Sequence, residues 1–264
     1  MSISSSTQPN KQEQLAAMRE FSNNTNARLP VLFLLDASSS MNGIVRGDNQ
    51  HIVRQEYADG INWNIVTGDN MVTRMDELNT GLQRFVSDIL ADPLAKLAAD
   101  VAVITFARTV ATVKEFGPIR ESDTGLKIST SQENETFLGE AVELALSELD
   151  SRKRTYREHG VEYYQPWLVV MTDGVPTSAR HRELEGRLKE LMAARKLSVF
   201  VFGIGRADLS ELCSISPGRP PMRVNDQKFP ELFAWLSRSV RMASMSMPGD
   251  GVSLTPLPDD MWQV

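Results

Sequence analysis

Three short polar stretches of this sequence carry oxygen donors of the kind that hold a hard cation. They are Asp36-Ala37-Ser38-Ser39-Ser40, Thr136 within Asn134-Glu135-Thr136-Phe137-Leu138-Gly139, and Asp173 within Thr172-Asp173-Gly174. The carboxylates of Asp36 and Asp173 about balance a divalent charge, and the hydroxyls of Ser38, Ser40 and Thr136 add neutral ligands. The set contains neither Cys nor His, so Mg2+ is the expected metal, with Mn2+ or Ca2+ as alternatives and zinc disfavoured. Mg2+ sheds its waters reluctantly, which leaves a coordination position that an incoming carboxylate can take. Taken singly, Asp36 and Thr136 could each be a helix N-cap and Asp173-Gly174 a plain turn. The metal reading depends on all three reaching one place.

The surrounding elements are of the right kind to bring them there. Residues 29–35 form an unbroken apolar run that stops at Asp36, as expected of a strand covered on both faces of a parallel sheet. Met75, Leu78, Leu82, Phe85 and Ile89 recur at the spacing of one helix face, and Asp92-Pro93 ends that helix. The run 101–106 reads as a second buried strand. Residues 110–116 follow too closely for a crossover helix and predict an antiparallel edge strand. Leu138, Val142, Ala145, Leu146 and Leu149 mark the next helix, and 167–171 a third central strand ending at Thr172-Asp173-Gly174. A helix through Leu184, Leu188 and Leu191, strands at 199–202 and 222–224, and a helix through Phe229, Leu232, Phe233, Leu236 and Val240 complete the alternation. This order predicts an α/β fold with a doubly wound, mostly parallel, Rossmann-like open sheet, one antiparallel edge strand and helices on both faces. In such sheets ligands gather at the carboxyl ends of the strands where strand order reverses, which is where Asp36 and Asp173 fall.

The expected organisation is a polar N-terminal tail over 1–28, one domain over 29–242, and a C-terminal tail over 243–264. An insertion at 42–73 separates the first strand from its helix by far more than the usual few residues. It begins beside the proposed metal site, so it is expected to lid that site or to form part of a partner surface. His51, His159 and His181 lack ligand spacing and are expected at the solvated surface, and Cys213 as a small core residue. The basic residues Arg152, Lys153, Arg154 and Arg157 read as a solvated helix end, with binding of phosphate or an acidic partner as the alternative use.

Bulk properties narrow the function further. A net charge of −6 over 264 residues gives no footprint for a phosphate backbone, so nucleic acid is not an expected partner. One cysteine excludes an intrachain disulfide, and no apolar run approaches bilayer-spanning length. With no membrane partner and no signal peptide, a cytoplasmic location is expected.

On Asp36-x-Ser38-x-Ser40, Thr136 and Asp173-Gly174, the chain resembles the von Willebrand factor A domain family over roughly residues 29–241. The resemblance implies a metal ion-dependent adhesion site, in which Asp36, Ser38, Ser40, Thr136 and Asp173 hold the metal and an Asp or Glu of another protein completes its shell. Within that family, 29–41, Ala91-Asp92-Pro93, Ile104-Thr105-Phe106, Thr136-Phe137-Leu138-Gly139, 171–177 and 254–258 look like the bacterial TerY-type proteins linked to tellurite resistance and stress response. The insertion departs from that pattern. The resemblance implies a non-enzymatic interaction module whose partner is a kinase or phosphatase of the same system. The competing reading is a Mg2+-dependent phosphohydrolase or phosphotransferase with Asp36 as nucleophile, but Ser38 stands where that chemistry wants a second acid.

Overall fold

Strand β1 (Leu29–Asp36) is buried at every position, as an apolar run without polar alternation requires. In the computed structural model, which describes residues 20–22, 24–58, 61–205 and 207–249, the chain continues through β2 (Ile44–Ala58), β3 (Ile61–Thr73), α1 (Arg74–Ala91), α2 (Pro93–Ala98), β4 (Ala99–Phe106) and β5 (Val110–Pro118). There follow α3 (Leu138–Glu158), β6 (Trp167–Thr172), α4 (Arg180–Glu183), α5 (Glu185–Ala193), β7 (Ser198–Ile204), α6 (Leu209–Leu212), β8 (Met222–Val224) and α7 (Phe229–Ser244).

The main sheet has the order β5-β4-β1-β6-β7-β8, and only the β4/β5 pair at the edge is antiparallel. This is the doubly wound, mostly parallel fold the alternation predicts. The chain leaves β1 for β4 on one side and later returns to β6 on the other, so strand order reverses at the carboxyl end of β1.

Alternate residues of β1 serve two cores. Val31, Phe33 and Leu35 face α1 and α7, where Phe33 meets Phe85 edge-on at 5.0 Å and Phe233 at 5.5 Å. Leu32 and Leu34 face α3 and α5 through Leu138, Val142, Leu146 and Leu188. Helices α1 and α7 approach closely because Gly81 has no Cβ; one added there would stand 2.3 Å from the Phe233 ring. Helix α1 starts on a capping box, in which Thr73 accepts from the Asp76 N–H and Asp76 accepts from the Thr73 N–H, and Asp92 both ends it and caps α2 ahead of Pro93.

The insertion is a second sheet of its own, the antiparallel ribbon β2/β3. Strands of this length reach about 40 Å. Its register slips around Asp48, where Asn49 and Asn70 take positive φ of 48° and 51° and their side chains bond Asp69 and Asp48 respectively. Arg46 pairs with Glu77 of α1 at 2.7 Å and holds the ribbon base to the domain. Further out, Ile52, Val53 and Tyr57 are exposed.

Residues 20–28, expected as tail, pack on the domain where they are described. Phe21 is buried against Tyr156, and Arg152 bridges Glu20 at 2.6 Å and the fully buried Asp100 at 2.5 Å. Asp100 also accepts from the Tyr156 hydroxyl at 2.5 Å. The tail expectations for 1–19 and 250–264 lie outside the described residues. Among the described residues, no helix is long and apolar enough to cross a membrane.

Arg152, expected at a solvated helix end, is drawn inward by Asp100 to 10% side-chain exposure, and two further side chains sit opposite to expectation. His181 is buried, because each ring nitrogen finds a partner, the Ser178 carbonyl at 2.7 Å and Glu211 at 3.3 Å, so its ring can leave water without orphaning a polar atom. Cys213 is exposed: Leu212 and Ile215 take the inward places of that turn, and the thiol donates to the Leu209 carbonyl at 3.3 Å.

Candidate functional site

Strand pairing places the first and third polar stretches side by side. Leu35 lies opposite Met171, so Asp36 at the end of β1 faces Thr172 at the end of β6, with Asp173 just beyond. Asp36 is fully buried. Its Oδ1 accepts from the Ser38 N–H at 2.8 Å, and its Oδ2 accepts from the Thr172 hydroxyl at 2.5 Å. A relay of hydroxyls joins the two carboxylates' surroundings: Ser40 Oγ donates to Asp173 Oδ1 at 2.6 Å and lies 2.9 Å from Ser38 Oγ.

Thr136 enters from the loop ahead of α3. Its backbone is clamped by Thr177, whose hydroxyl accepts from the Thr136 N–H at 3.0 Å and whose N–H donates to the Thr136 carbonyl at 3.1 Å. A Cβ on Gly174 would stand 2.9 Å from Thr136 Oγ1 and 3.5 Å from Asp36 Oδ2, so glycine is what lets the third stretch close against the other two. All five residues singled out in the sequence therefore meet at one strand-end cluster.

The cluster is short of positive charge. Burial, and then the nearby Asp173 carboxylate, push the Asp36 carboxyl up to about 7. Asp173 is also raised by burial, although hydrogen bonds from Ser40 and Arg74 and the Arg74 charge hold it back. No cation pairs with Asp36 among the described residues; its partners are one N–H and hydroxyls. Two buried carboxylates with three hydroxyls, all oxygen, match the donors of a hard divalent ion, so the residues present fit one. Among the described residues there is no group of three or more His, Cys, Asp or Glu that offers a metal an alternative home.

Three neighbours escaped the sequence reading. Arg74, the first residue of α1, donates to Asp173 Oδ2 at 3.1 Å and to Asp226 Oδ2 at 2.8 Å, and Asp226 in turn accepts from the Gly205 N–H at 2.9 Å. Burial opposes the Arg74 charge, and Asp226 and Asp173 more than offset that, raising its pKa. Thr172 is the third, orienting Asp36. Its place beside Asp173 was a usable signal; Arg74 and Asp226 are 152 positions apart and gave none.

A family model for the von Willebrand factor type A domain matches residues 63–234, a span that begins after the Asp36-to-Ser40 stretch. No curated relative matches the sequence. Among solved structures, BatB from Bacteroides thetaiotaomicron is similar at 18% identity and a TM-score of 0.53, over 83% of this chain and 100% of that one. Proximal thread matrix protein 1 from the mussel byssus is similar at 17% identity and a TM-score of 0.50, over 84% of this chain. This chain spans about half of that protein, 47% of its length. A further structure of the mussel protein, with zinc in its MIDAS motif, is similar at 18% identity and a TM-score of 0.50, covering 84% and 47% of the two chains. At these identities the likeness concerns the fold.

Proposed function

We propose, from the premise that the chain belongs to the von Willebrand factor type A domain family, that Asp36, Ser38, Ser40, Thr136 and Asp173 form a metal ion-dependent adhesion site that grips an acidic residue of another protein. The observation that carries this reading is Asp36 itself. A fully buried carboxylate raised to about 7, with a second carboxylate beside it and no cationic partner among the described residues, is a site built short of one cation. The zinc-holding motif of the mussel protein supports a divalent ion in such a site. Mg2+ suits the all-oxygen donors, with Mn2+ or Ca2+ as substitutes.

The ion, when bound, supplies positive charge and an open coordination position for a partner carboxylate. The chain's own residues do the rest. The Ser38 N–H and Thr172 hydroxyl fix both oxygens of Asp36, and the Thr177 clamp sets where the Thr136 hydroxyl points. Arg74 holds Asp173 and Asp226 at the rim, adding positive charge on the side from which an acidic partner would arrive. Ribbon β2/β3 rises from the same rim and offers Ile52, Val53 and Tyr57 as a second contact for that partner.

The TerY-type resemblance makes a kinase or phosphatase of a bacterial stress-response system the first partner to test. Phosphoryl transfer by Asp36 gains no support: the carboxylate is fully buried, and Ser38 stands where that chemistry wants a second acid.

The test is a pull-down from the native cell with Mg2+ against chelator, using the wild-type chain and Asp36→Ala. Capture that needs Mg2+ and is lost in Asp36→Ala, with the circular dichroism spectrum unchanged, is the expected result. Capture indifferent to both would overturn the reading.

A further inference from the structure

At the pole opposite Asp36, a cavity of about 740 Å³ opens between the starts of β1, β6 and β7 and the last turns of α3, α5 and α7. Its size is that of a small-molecule site. Among the described residues, five cations line it, Lys153, Arg157, Arg195, Lys196 and Arg219, against the single acid Asp150, in a chain whose net charge is −6. Asp150 is already taken by Lys153 at 2.6 Å and Arg187 at 3.4 Å. The walls also carry the aromatic rings of Tyr163, Trp167 and Phe200.

The bland account is that these cations merely oppose helix dipoles. It serves for Lys153 and Arg157 near the end of α3, and in part for the pair after α5. It does not serve for Arg219, which lies in the loop before β8. Its guanidinium stacks over Phe200 at 4.2 Å, and its Nη1 is buried with no hydrogen-bond partner. Burial lowers its pKa, a desolvation cost that the Phe200 stack offsets only in part.

Arg195 is a second departure. It takes φ of +53° at the end of α5, where the Lys196 N–H donates to the Leu191 carbonyl at 2.8 Å and the Arg195 N–H to the Met192 carbonyl at 3.0 Å. That is a Schellman cap, whose left-handed residue is ordinarily glycine. An arginine there costs about 1 kcal/mol in backbone conformation and adds a cation to the cavity wall.

We propose that this cavity binds a nucleotide, its phosphates held by Arg195, Lys196 and the Arg219 guanidinium and its base laid against the aromatic wall. Guanidinium forks match phosphate oxygens. The site is separate from the cation site at the other pole and does not depend on it.

Calorimetry on the full chain in chelator, with ADP, adenosine and orthophosphate as probes, tests this. Saturable binding of ADP is expected, at least about tenfold tighter than either fragment. The binding should persist in Asp36→Ala, which separates it from any metal-borne contact. Arg195→Gly is the discriminating variant: glycine suits the left-handed position, so the melting temperature should hold or rise while ADP affinity falls about tenfold. Lys196→Glu, at an exposed position, should weaken ADP as much. No saturable ADP binding, ADP bound no tighter than orthophosphate, or affinity untouched by both Arg195→Gly and Lys196→Glu would overturn the proposal.

Discussion

Asp36 and Asp173 are two carboxylates in a buried place, and how they titrate decides what the site does in the absence and presence of a cation. Asp36 is raised from 3.8 to about 7 in the folded state, so its contribution favours the fold below about pH 4 and is lost as pH rises through 7. Without divalent ions the domain should therefore melt lower at pH 8 than at pH 5.5 on this group's account. A bound cation needs the ionised form, so the gain in melting temperature from Mg2+ should be larger at pH 8 than at pH 5.5, and absent in Asp36→Ala; thermal melts at the two pH values check both signs. Arg74 is the internal competitor for Asp173. Removing its charge in Arg74→Ala should tighten Mg2+ binding by roughly tenfold, the effect of about 1.4 kcal/mol of lost repulsion, while lowering the stability of the metal-free domain. Titration calorimetry reads the first effect and denaturant unfolding the second. Weaker Mg2+ binding in Arg74→Ala would mean that the guanidinium organises the site rather than competes for it.

At the scale of elements, the ribbon and the N-terminal segment are attached in different ways, and their removal should show it. Ribbon β2/β3 keeps its own hydrogen-bond ladder and touches the domain mainly at its base, through Arg46 with Glu77 and the Gln227 side chain with the Val45 carbonyl at 3.1 Å. Replacing residues 48–70 with a short turn, which keeps Arg46 on the buried Glu77, should leave the domain within about 0.5–1 kcal/mol of the parent, as for loss of exposed contacts, yet reduce partner capture. The segment at Glu20 and Phe21 is instead tied to buried charge. Arg152→Met strands the Asp100 carboxylate inside the protein and should cost about 3–5 kcal/mol in urea unfolding, far more than an exposed ion pair would. Helix and strand periodicity carries no signal for this tie, since Glu20, Asp100 and Arg152 belong to an N-terminal stretch, a strand start and a helix end.

Over the whole molecule, β1 is the shared wall of both cores, and Phe33 is its most connected ring on the α1/α7 side. Phe33→Ala should cost about 3–5 kcal/mol by transfer and cavity terms, measured by chemical denaturation. Because Asp36 ends the same strand, that variant should also lose Mg2+ stabilisation sooner on heating. The sheet further divides the molecule into two chemically opposite poles: acidic oxygen donors at the carboxyl ends of the strands, and a basic aromatic cavity at their amino ends.

The order of strands and helices is legible in the residues alone, because runs such as 29–35 and 167–171 suit burial between helix layers and the period of Leu78, Leu82 and Phe85 suits a helix face. So are the five oxygen-bearing residues at strand and helix ends, since each follows directly on an apolar run or opens one. Tertiary structure decided what lay between distant segments. The insertion became a ribbon through pairing of its own two strands, which its mixed polarity did not announce. His181 turned inward because Ser178 and Glu211 satisfied both ring nitrogens, while Cys213 turned outward because Leu212 and Ile215 fitted the core better. Arg74 reached Asp173 and Asp226, and Arg219 reached the far cavity, by contacts across many tens of residues. Hydrophobic periodicity is a local signal and survives in the sequence; charge pairing and cavity lining depend on distances through space, which only the folded chain sets.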